Sequence, residues 1–499
     1  MMEKVEMKSM LLVLCVVSAI IMLVGCESSD DDDQIEVTKG TIIQDATIVD
    51  TRDGGLTSGM TVVIDDGKIQ MITKSSVHAS GTAQTIDASG KYLVPGFNDM
   101  HVHAMESIDE SPNQWPQLIA NGVTGVREMS GSEEMIQRVA QLNTDSAAGL
   151  VDAPEILQVH GGFYGGPPVT AEAGVQFVQE KAAMGADYIK LLAGAPPFVF
   201  AVLEEAGNQG LGVAGHLPPA VSALDASNAG WQIMEHLGAG MGLAMDCATD
   251  EDNIRQSVLT DGFQLPFPFP PNFTVNPILY QANINGPFYQ DIMDRYSQSK
   301  CQSLAQAFVG NETWQVPSLI RLKGMFTSTD PSFADDTNLI YLPQEILTLW
   351  EQIVQDVEST VSPEATETMR QYYDFLKNVT KLLKESGVKM LAGSDSSHYA
   401  LWMNPGFALH MEFRELAESG LSPLEILQMT TLNCAEFLGR QATMGTIDEG
   451  KDADLVLLDA NPVEDSANLD RIAAVFLNGK YFSREALDEM LEDVANAYQ

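Results

Sequence analysis

Basic side chains are scarce in this sequence of 499 residues. It has 27 lysines and arginines against 69 aspartates and glutamates, which gives a formal net charge of −42. Because binding to phosphates requires a basic surface, this charge argues against nucleic-acid binding. Charged residues make up only 19% of the chain and hydrophobic residues 45%. This composition differs from that of disordered proteins, and the length supports a large folded core.

Cysteine is also rare, with five residues, and no pair has the CxxC spacing of a structural zinc site. After removal of the export signal described below, Cys247, Cys301 and Cys434 remain as thiols. In an oxidising compartment Cys247 and Cys301 could form a disulfide, and the sequence leaves this pairing open. Cys434 lies in a helical pattern and is predicted to be a small buried side chain.

The apolar run from Met10 to Val24 is too short to span a bilayer as a stable helix. Its position after a short charged start is typical of an export signal. It ends in Gly25-Cys26, which resembles the bacterial lipoprotein cleavage motif, with ordinary signal cleavage as the alternative. We therefore expect residues 1–25 to be a lipoprotein signal peptide and Cys26 to be lipidated. The acidic residues 26–34 would be a linker to a membrane anchor in the bacterial periplasm or cell envelope.

Short β-rich runs separated by turns cover residues 35–92 and recur in residues 441–485. Asp65-Asp66-Gly67 and Asn478-Gly479 are typical of hairpin turns. Two β-rich flanks around a long middle segment predict one small β-sandwich domain formed from both chain ends.

Between residues 93 and 440, β-like runs alternate with helical patterns, which is typical of βαβ units. Eight candidate strands predict a (β/α)8 TIM barrel, whose chemistry would lie at the carboxyl ends of the strands. The interval from His236 to Asp395 is too long for the repeats that must fill it, so we expect an insertion at about residues 241–313. Its proline-aromatic stretch, residues 265–271, fits either a packed loop or a lid over the site.

Histidines close several candidate strands, although the chain has only eight of them. His101 and His103 alternate along one strand, so both imidazoles can face the same side and reach one cation. The other polar residues at strand ends are His160, Lys190, His216, His236 and Asp395. A lone lysine ammonium would be costly to bury at such a position.

Six segments resemble, in the expected order, the amidohydrolase superfamily, and more closely its imidazolonepropionase-like and Xaa-Pro dipeptidase-like branch. They are Pro95 to His103, Gly122 to Arg127, Gly185 to Lys190, Glu235-His236, Gly393-Ser394-Asp395 and Met444 to Leu455. The resemblance implies a site for two divalent metal ions, usually zinc. One ion would be held by His101, His103 and Asp395, the other by His216 and His236. Lys190, carboxylated by carbon dioxide to a carbamate, would bridge them.

The same resemblance implies a metal-dependent hydrolase that cleaves an amide or related C–N bond. A hydroxide shared by the two ions would attack, with Asp395 as general base and then acid. The substrate would be a small molecule such as a dipeptide. Deaminases of this superfamily place a glutamate three residues after the strand-five histidine, whereas Leu217-Pro218-Pro219 follows His216 here.

Several alternatives remain open. The same site could hydrolyse lactones or phosphotriesters, and a non-catalytic, surface-anchored binding protein is an alternative of a different class. Lys190 could also stay uncarboxylated beside a single metal ion. A homo-oligomer is neither indicated nor excluded.

Other polar residues are expected around the same site. His160 and Tyr164 lie in a glycine-rich loop and are predicted to contact the substrate. Arg127 could pair with a substrate carboxylate or balance Glu128. His398 follows Asp395 closely enough to support the metal ligands from behind.

Overall fold

The computed structural model of the protein describes residues 35–164, 170–264, 272–273 and 275–498. The expected signal peptide 1–25, lipidation site Cys26 and acidic linker 26–34 lie outside these residues, as does the proline-aromatic stretch 265–271. Within the described part of the chain, no helix combines the length and the apolar character needed to cross a membrane. The described residues form a mixed α/β fold.

The strands fall into an amino-terminal group, a central group and a carboxy-terminal group along the chain. They are β1 (Ile35–Val37), β2 (Thr41–Val49), β3 (Leu56–Asp65), β4 (Lys68–Thr73), β5 (Val77–Ala79), β6 (Gln84–Asp87), β7 (Tyr92–Pro95), β8 (Phe97–Val102), β9 (Val123–Glu128), β10 (Glu155–Val159), β11 (Tyr188–Leu191), β12 (Gly212–Gly215), β13 (Ile233–Glu235), β14 (Trp314–Val316), β15 (Leu455–Leu458), β16 (Ile472–Leu477) and β17 (Lys480–Ser483).

Helices occupy most of the intervals between the central strands, and a last helix ends the described chain. They are α1 (Trp115–Ala120), α2 (Glu133–Ala147), α3 (Ala171–Ala183), α4 (Pro196–Gln209), α5 (Ala223–Asn228), α6 (His236–Ala239), α7 (Gly242–Asp246), α8 (Glu251–Asp261), α9 (Ile278–Asp294), α10 (Gln298–Asn311), α11 (Leu319–Phe326), α12 (Pro331–Ala334), α13 (Gln344–Thr360), α14 (Pro363–Glu385), α15 (Phe407–Glu418), α16 (Pro423–Thr430), α17 (Leu432–Phe437) and α18 (Arg484–Tyr498). Short 3-10 helices cover Ala104–Ser107, Thr337–Tyr341 and Ser466–Asp470.

One sheet of eight strands combines both ends of the chain. Its order is β17-β16-β15-β7-β2-β3-β4, and β6 pairs with β2. β15 lies antiparallel to β7, which joins the carboxy-terminal strands to the amino-terminal ones. Asn478 and Gly479 both have positive φ, 50° and 79°, as a tight hairpin turn between β16 and β17 requires. The strands are thus shared between both chain ends as the sequence indicates, while the sandwich arrangement stays a prediction.

The central strands form two parallel sheets, β10-β9-β8 and β11-β12-β13-β14. The eighth strand expected before Asp395 is instead an irregular segment, residues 388–396. It makes isolated bridges from Met390 to Gln315 of β14 and from Ser396 to Val102 of β8. Another bridge joins Tyr164, after β10, to Leu191 of β11. These contacts connect the two parallel sheets at both of their ends.

Several helices that follow the parallel strands begin at a serine or threonine side chain. Ser132, Thr170 and Ser222 each accept a hydrogen bond from the backbone N–H three residues later, at the start of α2, α3 and α5. Such a cap satisfies one of the N–H groups that the first helical turn leaves unpaired. The caps fix where each chain segment turns back after leaving the strand end.

Side chains from both parallel sheets share one buried cluster. Its fully or nearly fully buried members are Met100, Met129, Tyr188, Ala214, Ile233, Trp314, Val316, Leu391 and Cys434. Because most of them come from β8, β11, β12, β13 and β14 and from the segment before Asp395, side chains of both parallel sheets share a common apolar interior. Cys434 is buried in it, as the sequence predicts.

The described residues of the expected insertion are largely helical, in α7 to α10. Cys247, which follows α7, forms a disulfide with Cys301 of α10. The pairing that the sequence left open is therefore present in the structure. It closes a loop of 54 residues and ties the first helix of the segment to its last.

Candidate metal centre

The six side chains expected to hold metal ions all come from one edge of the parallel sheets. His101 lies in β8 and His103 directly after it, and Lys190 lies in β11. His216 and His236 are the first residues after β12 and β13. Asp395 lies in the irregular segment that bridges β8 and β14. Since the carboxyl ends of parallel strands meet at one edge, these distant residues become neighbours.

His101, His103 and Asp395 form a group of three donors. Each offers one ligand atom, and these atoms lie within 4.8 Å of one another. Asp395 Oδ1 lies 3.1 Å from His101 Nε2 and 3.2 Å from His103 Nε2. Two imidazole nitrogens and a carboxylate oxygen at this spacing are a donor set that suits a divalent transition metal.

His236 and His216 extend this group. His236 Nε2 lies 3.6 Å from Asp395 Oδ2, and its ring centroid lies 4.5 Å from that of His101. The rings of His216 and His236 have centroids 5.2 Å apart. Burial lowers the pKa of His216 to about 3 and holds that of His236 well below its usual value, with Lys190 adding to the effect at His216. Both imidazoles are therefore neutral, as metal ligands must be.

Lys190 is almost completely buried at the same edge. Its Nζ donates a hydrogen bond to the carbonyl oxygen of Met129 at 3.0 Å. Burial lowers the pKa of Lys190 to about 8, although Asp395 and Glu235 oppose this shift. Lys190 is thus close enough to the cluster to interact electrostatically with Asp395, while its amine contacts a backbone oxygen.

The backbone around Asp395 is tied to β8 by Asp99. This buried carboxylate accepts hydrogen bonds from Ser394 N at 2.9 Å and from Ser394 Oγ at 2.5 Å. The neighbouring residue must be glycine, because a Cβ at Gly393 would lie 2.8 Å from His101 Cβ and 2.6 Å from Val316 Cγ1. Asp395 N also donates to the carbonyl oxygen of His101 at 2.7 Å. These contacts place Asp395 beside His101.

Glu235 supports His101 from behind. His101 Nδ1 donates to Glu235 Oε2 at 2.8 Å, and Arg127 donates to the other carboxylate oxygen. Arg127 Nε also donates to the carbonyl oxygen of Met100 at 2.8 Å. Burial alone would raise the pKa of Glu235, but Arg127 and His101 outweigh it and hold the pKa below its usual value. The hydrogen bond to Glu235 leaves His101 Nε2 facing Asp395.

Glu106 has the corresponding position behind His103. His103 Nδ1 lies 3.2 Å from Glu106 Oε1, and Ser130 Oγ donates to the same oxygen at 2.6 Å. Ser397, two residues after Asp395, donates to Glu106 Oε2 at 3.1 Å. Although burial opposes both shifts, the pair holds the pKa of Glu106 at about 2 and that of His103 at about 9. Binding a cation would therefore release a proton from His103.

Arg321 of α11 contacts the oxygen of Asp395 that does not face His101 and His103. Arg321 Nε lies 3.1 Å from Asp395 Oδ2. Its Nη1 donates to the carbonyl oxygen of Val275 at 3.1 Å. The arginine is buried, with 6% of its surface exposed. Asp395 therefore has one oxygen beside the imidazoles of His101 and His103, and the other beside the guanidinium of Arg321 and the imidazole of His236.

The expected substrate-contacting residues have other partners in the structure. His160 is fully buried, with Nε2 donating to the Met129 carbonyl oxygen at 2.7 Å and Nδ1 accepting from Gly162 N at 3.0 Å. The Tyr164 ring packs against Phe198, with centroids 4.2 Å apart. Their contact with a substrate stays a prediction. The part of the glycine-rich loop at residues 165–166 lies outside the described residues.

Arg127 and His398 each lie beside a carboxylate in the structure. Arg127 pairs with Glu235 rather than with Glu128, because its side chain turns across the strand ends towards β13. It therefore acts on His101 through Glu235, and a contact with a substrate carboxylate stays a prediction. His398 is buried and its Nδ1 lies 3.4 Å from Glu110 Oε2. Support of the metal ligands by His398 also stays a prediction.

Four residues at the site were given no role from the sequence, although Asp99 and Glu235 lie in segments that carry the family resemblance: Asp99, Glu106, Glu235 and Arg321. The first three lie within three residues of a histidine of the cluster, so a search for carboxylates flanking those histidines would have found them. Arg321 is remote from every such histidine in the sequence. Only the path of α11 after β14 brings it to Asp395.

Comparison with known proteins adds a family to this geometry. A model of the amidohydrolase family matches residues 374–481, which include Asp395. Imidazolonepropionase from Thermoplasma volcanium is 35% identical over 98 residues, which are 19% of this chain and 24% of that protein. N-acetylglucosamine-6-phosphate deacetylase from Lysinibacillus sphaericus is 32% identical over 128 residues, 24% of this chain and 32% of that protein. The matches thus span about a quarter to a third of these relatives.

Solved structures match over a much larger part of the chain. A Xaa-Pro dipeptidase with bound methionine in its active site aligns with a TM-score of 0.59 and 18% identity, covering 89% of this chain and 100% of that chain. Bottromycin amidohydrolase aligns with a TM-score of 0.66 and 18% identity, covering 92% of this chain and 90% of that chain. These similarities show a shared fold.

Proposed function

We propose that this chain is a member of the amidohydrolase superfamily and a metal-dependent hydrolase that cleaves an amide or related C–N bond in a small molecule, with a dipeptide as the first substrate to test. The observation that carries this proposal is the group formed by His101, His103 and Asp395, whose donor atoms lie within 4.8 Å of one another. The family and the Xaa-Pro dipeptidase fold support the reaction class.

The donor set fits a metal centre. In the described residues, the buried His101 Nε2 and His236 Nδ1 have no hydrogen-bond partner. A buried polar atom without a partner is costly, and a cation would provide one for His101 Nε2, which faces Asp395. We propose that His101, His103 and Asp395 hold one divalent ion, that His216 and His236 hold a second, and that Lys190 joins them as a carbamate. Zinc suits imidazole and carboxylate donors.

When bound, the ions would supply an activated water and polarise the scissile carbonyl. The chain's own residues would handle orientation and protons. Glu235 and Glu106 fix the ring planes of His101 and His103, so that both Nε2 atoms face Asp395. Asp395 would accept a proton from the attacking water at Oδ2 and deliver it to the leaving nitrogen. Pro219 stands three residues after His216, where deaminases of this superfamily place a glutamate, and this supports amide hydrolysis over deamination.

We further propose that the two parallel sheets close into a (β/α)8 barrel and that the shared sheet belongs to a small β-sandwich domain. Backbone hydrogen bonds support closure, from Leu391 N to the Gln315 carbonyl oxygen at 3.0 Å and from Met100 N to the Ala392 carbonyl oxygen at 2.9 Å. The common apolar interior also supports it. We propose export and a lipid anchor at Cys26 from the sequence motif alone.

Metal content tests the function directly. Two ions per chain are expected for the purified protein, with hydrolysis of members of a dipeptide panel. Lys190→Ala is expected to lose metal and activity together, because the carbamate would contact both ions. Lys389→Ala, which removes an exposed lysine paired with Glu436, is the matched control and keeps both. A protein that binds no ion, or a Lys190→Ala variant that retains two ions and full activity, contradicts the proposal.

A further inference from the structure

The two oxygens of Asp395 have different surroundings. Oδ1 lies 3.1 Å from His101 Nε2 and 3.2 Å from His103 Nε2, on the side of the proposed metal position. Oδ2 lies 3.1 Å from Arg321 Nε and 3.6 Å from His236 Nε2. A carboxylate rotates readily about its last side-chain bond, so its own stereochemistry does not maintain this division. A contact that holds one oxygen also fixes the other.

Arg321 is itself held in place. Its Nη1 donates to the carbonyl oxygen of Val275, which also accepts a hydrogen bond from Leu401 N at 3.1 Å. Val275 is buried, and it packs with Ile320 and Leu401 in one apolar cluster. The guanidinium is therefore anchored on one side by buried backbone and points Nε at Asp395 on the other. A planar guanidinium held in this way defines the direction of its donors.

We propose that Arg321 is a positioning residue that keeps Asp395 Oδ2 away from the cation held by His101 and His103, so that Asp395 binds this cation through Oδ1 alone and keeps Oδ2 for proton transfer. This inference rests on the proposed function. It adds a residue that assigns one Asp395 oxygen to metal binding and the other to proton transfer. A carboxylate can bind a metal through one oxygen or through both, and a cationic donor on Oδ2 disfavours the second mode.

Replacing Arg321 is expected to strengthen cation binding, whereas replacing a residue that supports a metal ligand would weaken it. In Arg321→Ala, Oδ2 becomes free to join the cation, and a positive charge next to the site disappears. Both changes strengthen cation binding. We therefore expect Arg321→Ala to bind Co2+ tighter by at least about tenfold, because like charges a few Å apart in a poorly solvated site repel strongly. Amide hydrolysis falls in the same variant, because Oδ2 is no longer reserved for the proton.

The experiment titrates metal-free protein with Co2+ and records both affinity and the visible absorption of the bound ion. Absorption reports coordination number, since the visible bands of bound Co2+ weaken when an oxygen ligand is added. Arg321→Ala is expected to show weaker bands than the wild type. Millimolar guanidinium, which can occupy the vacated position, is expected to restore both the wild-type affinity and the wild-type spectrum. Arg321→Lys keeps the charge and is expected to be intermediate.

Arg440→Ala provides a control, because Arg440 pairs with Asp452 and with Glu155, the first residue of β10, at the amino ends of the parallel strands and so at the edge opposite the metal centre. It is expected to leave Co2+ binding unchanged and to be insensitive to guanidinium. Unchanged or weaker Co2+ binding in both Arg321→Ala and Arg321→Met overturns the inference while the proposed function stands. A wild-type protein without any Co2+ site overturns both.

Discussion

The pair formed by Glu235 and Arg127 links the stability of the protein to its metal centre. Glu235 is fully buried and Arg127 nearly so, and each satisfies the charge of the other. Glu235 also accepts the Nδ1 proton of His101. Glu235→Leu therefore removes two partners at once. It leaves a buried guanidinium unpaired and an imidazole without its orienting hydrogen bond.

The loss of the ion pair affects the free energy of unfolding, and the loss of the hydrogen bond affects metal affinity. Different second substitutions are expected to restore them. Breaking a buried ion pair by removing one partner costs about 3–5 kcal/mol. Losing the hydrogen bond behind a metal-binding histidine reduces metal affinity by roughly 10- to 100-fold. Removing Arg127 as well, in Arg127→Met/Glu235→Leu, eliminates the unpaired charge. This double variant is expected to regain most of the stability and none of the metal affinity.

A second double variant separates the contributions further. In Arg127→Met/Glu235→Gln, the amide oxygen can still accept the His101 proton and no charge is left unpaired. It is expected to approach the wild type in both properties. Urea midpoints of the metal-free proteins measure stability, and competition with a zinc-binding dye measures affinity. Wild-type zinc affinity in Arg127→Met/Glu235→Leu would refute the orienting role of Glu235.

Three further predictions address other parts of the chain. Burial raises the pKa of Glu412 to about 8, so the folded state holds a proton that the unfolded chain loses near pH 4.3, and stability falls as pH rises between these values. Glu412→Gln, which keeps an oxygen for Ile320 N, should remove this slope of about 1.4 kcal/mol per pH unit in urea midpoints, and an unchanged slope would contradict it. Cys247→Ala/Cys301→Ala should lower the free energy of unfolding by about 4 kcal/mol, the chain-entropy value for a loop of 54 residues; an unchanged midpoint would argue against this contribution. Cys26→Ser should move the expressed protein from the detergent phase to the aqueous phase on partitioning, whereas a wild-type protein already in the aqueous phase would exclude the anchor.

The sequence predicts the distribution of strands well where hydrophobic patterns and turn residues agree. Runs in residues 35–92 and 441–485 alternate and end at glycine turns. Most of them form the strands of the shared sheet, while β1 and β5 pair in a separate two-stranded sheet. The segment before Asp395 shows the limit. Its apolar residues predict a strand, but the chain there is bent by Asp99, which holds Ser394, and by the close approach of Gly393 to His101. Such long-range contacts have no local signal.

The residues of the candidate site also differ in whether a local sequence pattern indicates them. His101, His103, His216 and His236 are visible in the sequence because each stands at the end of a β-like run, and the structure places their rings near Asp395. Arg321 is not visible in this way, because it lies in the first turn of a helix with an apolar pattern. Its importance depends on where α11 passes after β14, which only the tertiary structure determines.

Three residues near the carboxyl ends of the parallel strands share one backbone feature. His236, Ser318 and Asp395 have positive φ values of 51°, 43° and 57°, in the left-handed region that disfavours residues with a Cβ. Each residue in such a conformation costs of order 1–3 kcal/mol and persists only where its surroundings enforce it. The strained conformation has a geometric consequence here. A left-handed residue directs the chain sharply away from its preceding direction. At His236 and Asp395 this turn leaves the side chain in the proposed metal centre. If the chain continued as a strand, alternate side chains would point away from that centre. Glycine would adopt the same backbone conformation at lower cost, but it has no side-chain atom that can bind a metal ion. The strain at these two positions therefore follows from the need for a metal-binding side chain there.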